Sequence, residues 1–156
     1  MKFAAFNPVR AYLPQQYWGR MCRYFAYGLD FNLLAASAVA QEESFSVDLG
    51  RDFLCMAIVE VITTDATGST EQTFPEHTVQ IASDSGGTFW TEGFQHAANL
   101  FGRLAVNGPG VFHLPYPQFV PGGTTVTARI NNLEATARRI WMSFHGVSIY
   151  RDQMQR

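Results

Sequence analysis

Between Gly110 and Tyr150 three short runs alternate apolar with polar residues and are separated by two turns, a period of two that a helix cannot present. Val111, Phe112, His113 and Leu114 come first, followed by Pro115-Tyr116-Pro117 and then Val120-Pro121-Gly122-Gly123. Proline removes backbone donors there and the paired glycines allow positive φ, so the chain turns. From Thr124 to Ile130, Val126, Ala128 and Ile130 share one face while Thr125, Thr127 and Arg129 share the other, which predicts a half-buried strand. Asn131 to Thr136 reverses the chain again, and Ile140, Met142 and Phe144 then alternate against Trp141, Ser143 and His145. Val147 and Ile149 can join the Phe144 face only if one residue is inserted, so the pattern predicts a β-bulge at His145-Gly146.

A chain of 156 residues predicts one domain, large enough to bury a core without staples. Thirteen Phe, six Tyr and three Trp against 15% charged residues leave more apolar surface than a monomer of this size hides, so part of it should meet a partner. Cys22 and Cys55 read as two small hydrophobes, not as a disulfide. No apolar run approaches a membrane-spanning length, and Met1 to Pro8 lacks the core of a secretion signal. The expectation is a protein made and kept in a cytoplasm, or in a particle assembled there.

Charge is unevenly laid out. Residues 1–29 carry Lys2, Arg10, Arg20 and Arg23 and no acid; residues 30–100 carry eleven acids against Arg51; residues 101–156 carry six arginines against Glu134 and Asp152. A basic front and tail around an acidic middle suit contact between copies or with a larger assembly. Within residues 1–29, Pro8 and Pro14 exclude a long helix, and aromatic rings recur among arginines without a strict period. This predicts an extended arm over 1–29, with one helical turn across Gln15 to Phe25, ahead of a sandwich domain over 30–156. Tyr12, Tyr17, Trp18, Arg20, Arg23 and Tyr24 are its candidate partner-binding residues, rings filling grooves and arginines forming ion pairs. Four basic residues are too few for nucleic acid, and no basic amphipathic helix offers a membrane contact.

Further along, Phe31 to Ala40 reads as strand or short helix, Phe45, Val47 and Leu49 as a one-sided strand, and Phe53 to Thr63 as a central strand covered on both sides, with Glu60 its one charge. Asp65 to Pro75 is an exposed loop; His77 to Ser83 and Thr88 to Thr91 form a hairpin about Asp84-Ser85-Gly86-Gly87; His96 to Gly102 is a helical turn. Six to eight short strands with regular turn signals predict an all-β fold, an antiparallel β-sandwich of jelly-roll type.

Chemistry is sparse. His77, His96, His113 and His145 form no metal-ligand spacing, although His113 and His145 could meet across a sheet. There is no nucleophile elbow and no phosphate loop, and Glu42-Glu43 point to opposite faces. No catalytic residue, metal or cofactor is expected. Trp90, Trp141 and Tyr116 are available as sugar-stacking rings, so a carbohydrate- or receptor-binding sandwich is the alternative.

The segments Asn99-Leu100-Phe101-Gly102, Leu114-Pro115-Tyr116-Pro117, Val120 to Thr127, Asn131-Asn132-Leu133 and Phe144-His145-Gly146 resemble small structural proteins of tailed-bacteriophage virions. The resemblance implies a non-enzymatic, oligomeric jelly-roll module that decorates or cements the capsid. Its partners would be the major capsid protein and itself, as a dimer or trimer. Its place would be the capsid surface of a virion assembled in the host cytoplasm.

Overall fold

The computed structural model describes residues 13, 15–18, 20–33, 39–63, 76–84, 90–91, 93–101 and 110–154. After a 3-10 turn at Gln15–Tyr17, the elements are β1 (Arg20–Leu33), β2 (Gln41–Ser46), β3 (Arg51–Thr63), β4 (His77–Ser83), β5 (Gln95–His96), α1 (Ala97–Phe101), β6 (Gly110–Val120), β7 (Thr125–Asn132) and β8 (Arg138–Met154). Two four-stranded sheets result, ordered β1-β8-β3-β6 (sheet A) and β2-β7-β4-β5 (sheet B). The pairs β1·β8, β2·β7, β3·β6 and β4·β5 are all antiparallel, so the first half of the chain runs against the second half like one long hairpin. Rolling that hairpin so that β3 also meets β8 and β4 meets β7 yields the two sheets, which is the jelly-roll arrangement of an antiparallel sandwich.

Alternation fixes which face each strand buries. Phe31, Phe53, Ile58, Ile62, Ile140, Met142 and Phe144 of sheet A meet Val79, Ile81, Val126, Ala128 and Ile130 of sheet B in one core. Tyr27 stacks on Phe45 at 4.3 Å between ring centroids, and Phe45 in turn lies 5.0 Å from Phe144. Glu60 reaches this interior from β3, where its carboxylate lies 3.0 Å from His77 Nε2 on β4. That hydrogen bond links the two sheets through side chains that are 0% and 1% exposed.

Three expectations change. The arm expected over 1–29 does not reach residue 29, because β1 begins at Arg20 and pairs with β8 as far as Leu33. Phe25, Tyr27, Leu29 and Phe31 face the core on alternate positions, which makes this segment a strand of the sandwich. The helical turn is confined to Gln15–Tyr17, and residues 1–12 lie outside the described residues.

The bulge expected at His145-Gly146 is on the opposing strand. Gly146 pairs with Cys55 and His145 with Ala57, so Met56 of β3 is the extra residue while β8 runs on unbroken. Val147 and Ile149 therefore keep the face of Trp141, Ser143 and His145, away from the core. The expected loop at Asp65 to Pro75 and most of the hairpin's return strand lie outside the described residues, although the amides of Trp90 and Thr91 both donate to Ile81 O.

Candidate interaction surface

The outer faces of the two sheets are unlike. Register puts Glu42–Arg129–Gln80 and Ser44–Thr127–Ala82 in rows across the outside of sheet B, a polar and charged surface of the kind that faces water. Across the outside of sheet A the rows are Tyr24–Val147–Leu54–Phe119, Ala26–His145–Ala57–His113 and Gly28–Ser143–Val59–Val111. None carries an acid, a lysine or an arginine. Charge returns only at the ends. At one, Arg139 pairs with Asp30 and lies 4.7 Å over the ring of Trp141. At the other, Leu13, Leu54 and Ile149 form a second buried cluster with Tyr17, Cys22 and Phe119 against it, closed by a knot about Asp52.

Asp52 is fully buried and accepts from Arg151 Nε and Nη2, from the Gly122 amide at 2.8 Å and from the Tyr17 hydroxyl. Burial alone would raise its carboxyl; the Arg151 guanidinium, the Gly122 amide and Tyr17 outweigh that and hold it below the usual carboxylate range. The knot ties the 3-10 turn, β3, the β6–β7 turn and the end of β8 together beneath the face.

Three aromatic side chains stand proud around this surface: Tyr24 (70% exposed), Tyr116 (78%) and Trp18 (44%). Tyr116 owes its position to an irregularity in β6. Cys55 pairs with Gln118 and Ala57 with His113, so Leu114-Pro115-Tyr116-Pro117 is looped out against the single residue Met56. In the middle of the face the two imidazole nitrogens of His145 are both occupied, Nδ1 by the Tyr24 hydroxyl and Nε2 by Ser143 Oγ at 2.8 Å. A strand brings Ser143 and His145 to one face by their spacing of two, a signal that searches for helical or loop motifs pass over. With both nitrogens hydrogen-bonded, the ring is held in one orientation on the sheet face.

The sequence-derived candidates fall as follows. Tyr17 lies 5.2 Å from the Phe119 ring in the second cluster, so it is anchored on its own sandwich. Trp18 Nε1 donates to Leu13 O. Arg20 opens β1, exposed Arg23 lies 5.9 Å over Tyr150, Tyr24 is on the face itself, and Tyr12 is outside the described residues. His113 and His145 do not meet, because Ala57 separates them on their shared row. Of the three rings considered for sugar stacking, Trp90 is edge-on to Phe144 in the core at 5.7 Å and Trp141 lies under Arg139. Only Tyr116 is open, so they form no common platform. Cys22 and Cys55 are free thiols on opposite faces of sheet A, and burial pushes the Cys55 thiol up to about 12. Among the described residues no three His, Cys, Asp or Glu side chains converge, and no helix is long and apolar enough to cross a membrane.

No protein-family model matches this chain, and no curated protein matches it. Solved structures that it is similar to include the capsid asymmetric unit of cyanophage Pam1, with 15% identity and a TM-score of 0.46 over 94% of this chain and 98% of that one. A second is the VP2 subviral particle of infectious bursal disease virus, at 10% identity and a TM-score of 0.36, covering 85% of this chain and 34% of that one. A third is turnip yellow mosaic virus, at 11% identity and a TM-score of 0.29 over 88% of this chain and 86% of that one.

Proposed function

We propose that this chain is a virion structural protein without catalytic activity, which docks on the lattice of a major capsid protein, associates with copies of itself, and so cements or decorates a phage head at its outer surface. The observation that carries the reading is the uncharged outer face of sheet A, set beside a smaller sheet B whose outer face is polar and ion-paired. A face that meets only water has no physical reason to lack charge over three successive rows, whereas a face that docks would lose affinity by desolvating charges. Burying it is worth about 25 cal/mol per Å² of apolar area before association costs, and a lattice repeats the contact at every site. Tyr24 is on this face and Trp18 and Arg20 stand beside its β1 margin, while Arg23 projects from the other side of β1 over Tyr150; with Tyr17 beneath and Tyr12 in the leading segment, they form its partner-binding rim in this reading. Neither nucleic acid nor membrane enters it, and assembly takes place in the host cytoplasm.

The test uses particles stripped of the protein and co-sedimentation of the added chain. Replacing Val111→Lys together with His113→Glu charges exposed positions on two rows of the face, so the fold should be kept and particle binding lost. Undiminished binding by that variant would overturn the face as the docking surface. The leading segment is tested by removing residues 1–12; a cut at residue 27, natural from the sequence, would take the first half of β1 and unmake sheet A. A glycan array with Tyr116→Ala examines the sugar-binding alternative through the one ring of the three that is open.

A further inference from the structure

A sandwich has four edge strands, and this one blunts three of them. The β6 edge is interrupted by the looped-out Leu114-Pro115-Tyr116-Pro117, whose prolines offer no N–H to a visiting strand. The β2 edge is six residues long and presents Glu42 and Glu43, both exposed, while β5 has only two residues. Among the described residues the fourth edge, β1, has none of these devices. It is fourteen residues long, contains no proline, and keeps one uninterrupted register with β8 from Cys22 to Leu33. Tyr24-Phe25-Ala26-Tyr27-Gly28-Leu29 is six consecutive residues without a charge. Proteins manage long, flat, uncharged edges because the row of unpaired N–H and C=O groups recruits another strand.

We infer that β1 pairs with β1 of a second copy across a twofold axis, joining two sheets A into one eight-stranded sheet ordered β6-β3-β8-β1-β1-β8-β3-β6. Three features of the strand fit this occupant. An antiparallel pair sets the start of one strand beside the end of the other, so the two copies of Arg23 lie at opposite ends of the pair, as do the two copies of Asp30, each already paired with its own Arg139, and like charges stay apart. A twofold perpendicular to the sheet keeps the outer face outward, so residues of equal parity must oppose one another. Registers centred on Ala26, Tyr27 or Gly28 then bring the exposed Tyr24, Ala26 and Gly28 against Tyr24, Ala26, Gly28, Asp30 or Asn32, with no two charges of one sign directly opposed. Gly28 and Ala26 are small, exposed and central, and a Cβ at Gly28 would meet nothing within 4 Å, so this stretch leaves the edge clear for a close backbone approach. Pairing also doubles the uncharged outer face, which makes each docking event bivalent. The inference deepens the self-association part of the preceding reading, but it concerns the purified protein alone, so its failure and that of capsid docking are separable.

The experiment is light scattering on size-exclusion fractions, combined with residue-resolved hydrogen exchange. The unaltered protein should elute at twice the chain mass, with protection on every amide from Tyr24 to Leu29, including the alternate ones that point away from β8. Ala26→Lys with Gly28→Lys places like charges at the centre of the pair on exposed positions; it should run at the mass of one chain and unfold in one cooperative transition whose midpoint does not depend on concentration, with fast exchange at those alternate amides. Val111→Lys with His113→Glu, on the far edge of the same face, should stay dimeric although it no longer binds particles. A wild type that runs as one chain at all concentrations would overturn the inference, and so would a lysine variant that keeps both its double mass and its alternate-amide protection.

Discussion

Gly146 and Gly28 lie on β8 and β1, neighbours in sheet A, yet replacing each with alanine should act with opposite sign. Gly146 is at the centre of the sheet, paired with Phe25 on one side and Cys55 on the other, beside the Met56 bulge. A Cβ there would meet the Leu54 carbonyl carbon at 2.9 Å and Cys55 Cα at 3.0 Å, and the Leu54 carbonyl oxygen closer still. Non-bonded carbons sit at about 3.5–4.0 Å, so β8 and β3 would have to part by something between about half an ångström and more than one. Those atoms are backbone in the two central strands, so no side chain can swing aside. Overpacking of this kind costs about 1–3 kcal/mol, and one weakened ladder hydrogen bond adds about 1 kcal/mol. Against this, alanine recovers about 0.5–1 kcal/mol of glycine's backbone entropy. The net is about 1–3.5 kcal/mol of destabilisation for Gly146→Ala, which at about 2–4 °C per kcal/mol is a thermal midpoint lower by about 2–14 °C. Gly28→Ala meets nothing, so only the entropy gain of about 0.5 kcal/mol remains, a small stabilisation. Urea and thermal unfolding of both variants read this directly. Equal midpoints for the two would refute the close approach of β3 to Gly146, and with it the placement of the bulge.

The Asp52 knot should make stability pH-dependent in one direction: a carboxyl held below its unfolded value of about 3.9 contributes fully above that pH and loses its contribution as pH falls through the depressed folded value. Asp52→Asn should therefore cost about 2 kcal/mol near pH 7 and progressively less in acid, measured by urea midpoints across a pH series; a constant gap would exclude the ionised knot. For the buried pair between the sheets, Glu60→Leu or His77→Leu alone leaves one polar partner stranded and should cost about 2–4 kcal/mol. The double replacement should cost clearly less than the sum of the two, and strict additivity in the double-mutant cycle would mean that the hydrogen bond contributes nothing.

Much of the sandwich was legible because its inner face obeys a period of two. Val126, Ala128 and Ile130, and again Ile140, Met142 and Phe144, share a face by spacing alone, and that face is the core one; the Pro121-Gly122-Gly123 turn follows from its chemistry. The unreadable part was long-range. Nothing in the residues says that β1 pairs with β8 or β3 with β6, since pairing over 50 residues (β3 with β6) to more than a hundred (β1 with β8) is a property of how the long hairpin rolls. The jelly-roll class could be read from strand number, but not the edge position of β1. The expected arm runs too far because Tyr24 and Arg23 interleave with Phe25 and Tyr27 and mask their alternation. The run Phe25, Tyr27, Leu29, Phe31 carried the missing signal.

The misplaced bulge and the candidate interface have one physical root. Reading a strand by alternation assumes that one face is apolar and the other wet. On β8 the assumption holds for the inner face and fails for the outer one, where Val147 and Ile149 are apolar although they face away from the core. Ile149 is covered by Leu13 and Leu54, and Val147 stands in the same row as exposed Tyr24. An apolar residue on the outer side looks, in one dimension, like a slip of register; in three dimensions it is a second hydrophobic surface. The sequence rule therefore breaks where the chain departs from the economy of an isolated sandwich, and such departures are expected where a protein has something to bind. Sheet B offers the control within the same molecule: its outer residues alternate without exception from Thr125 to Asn131, and its outer face is the polar one.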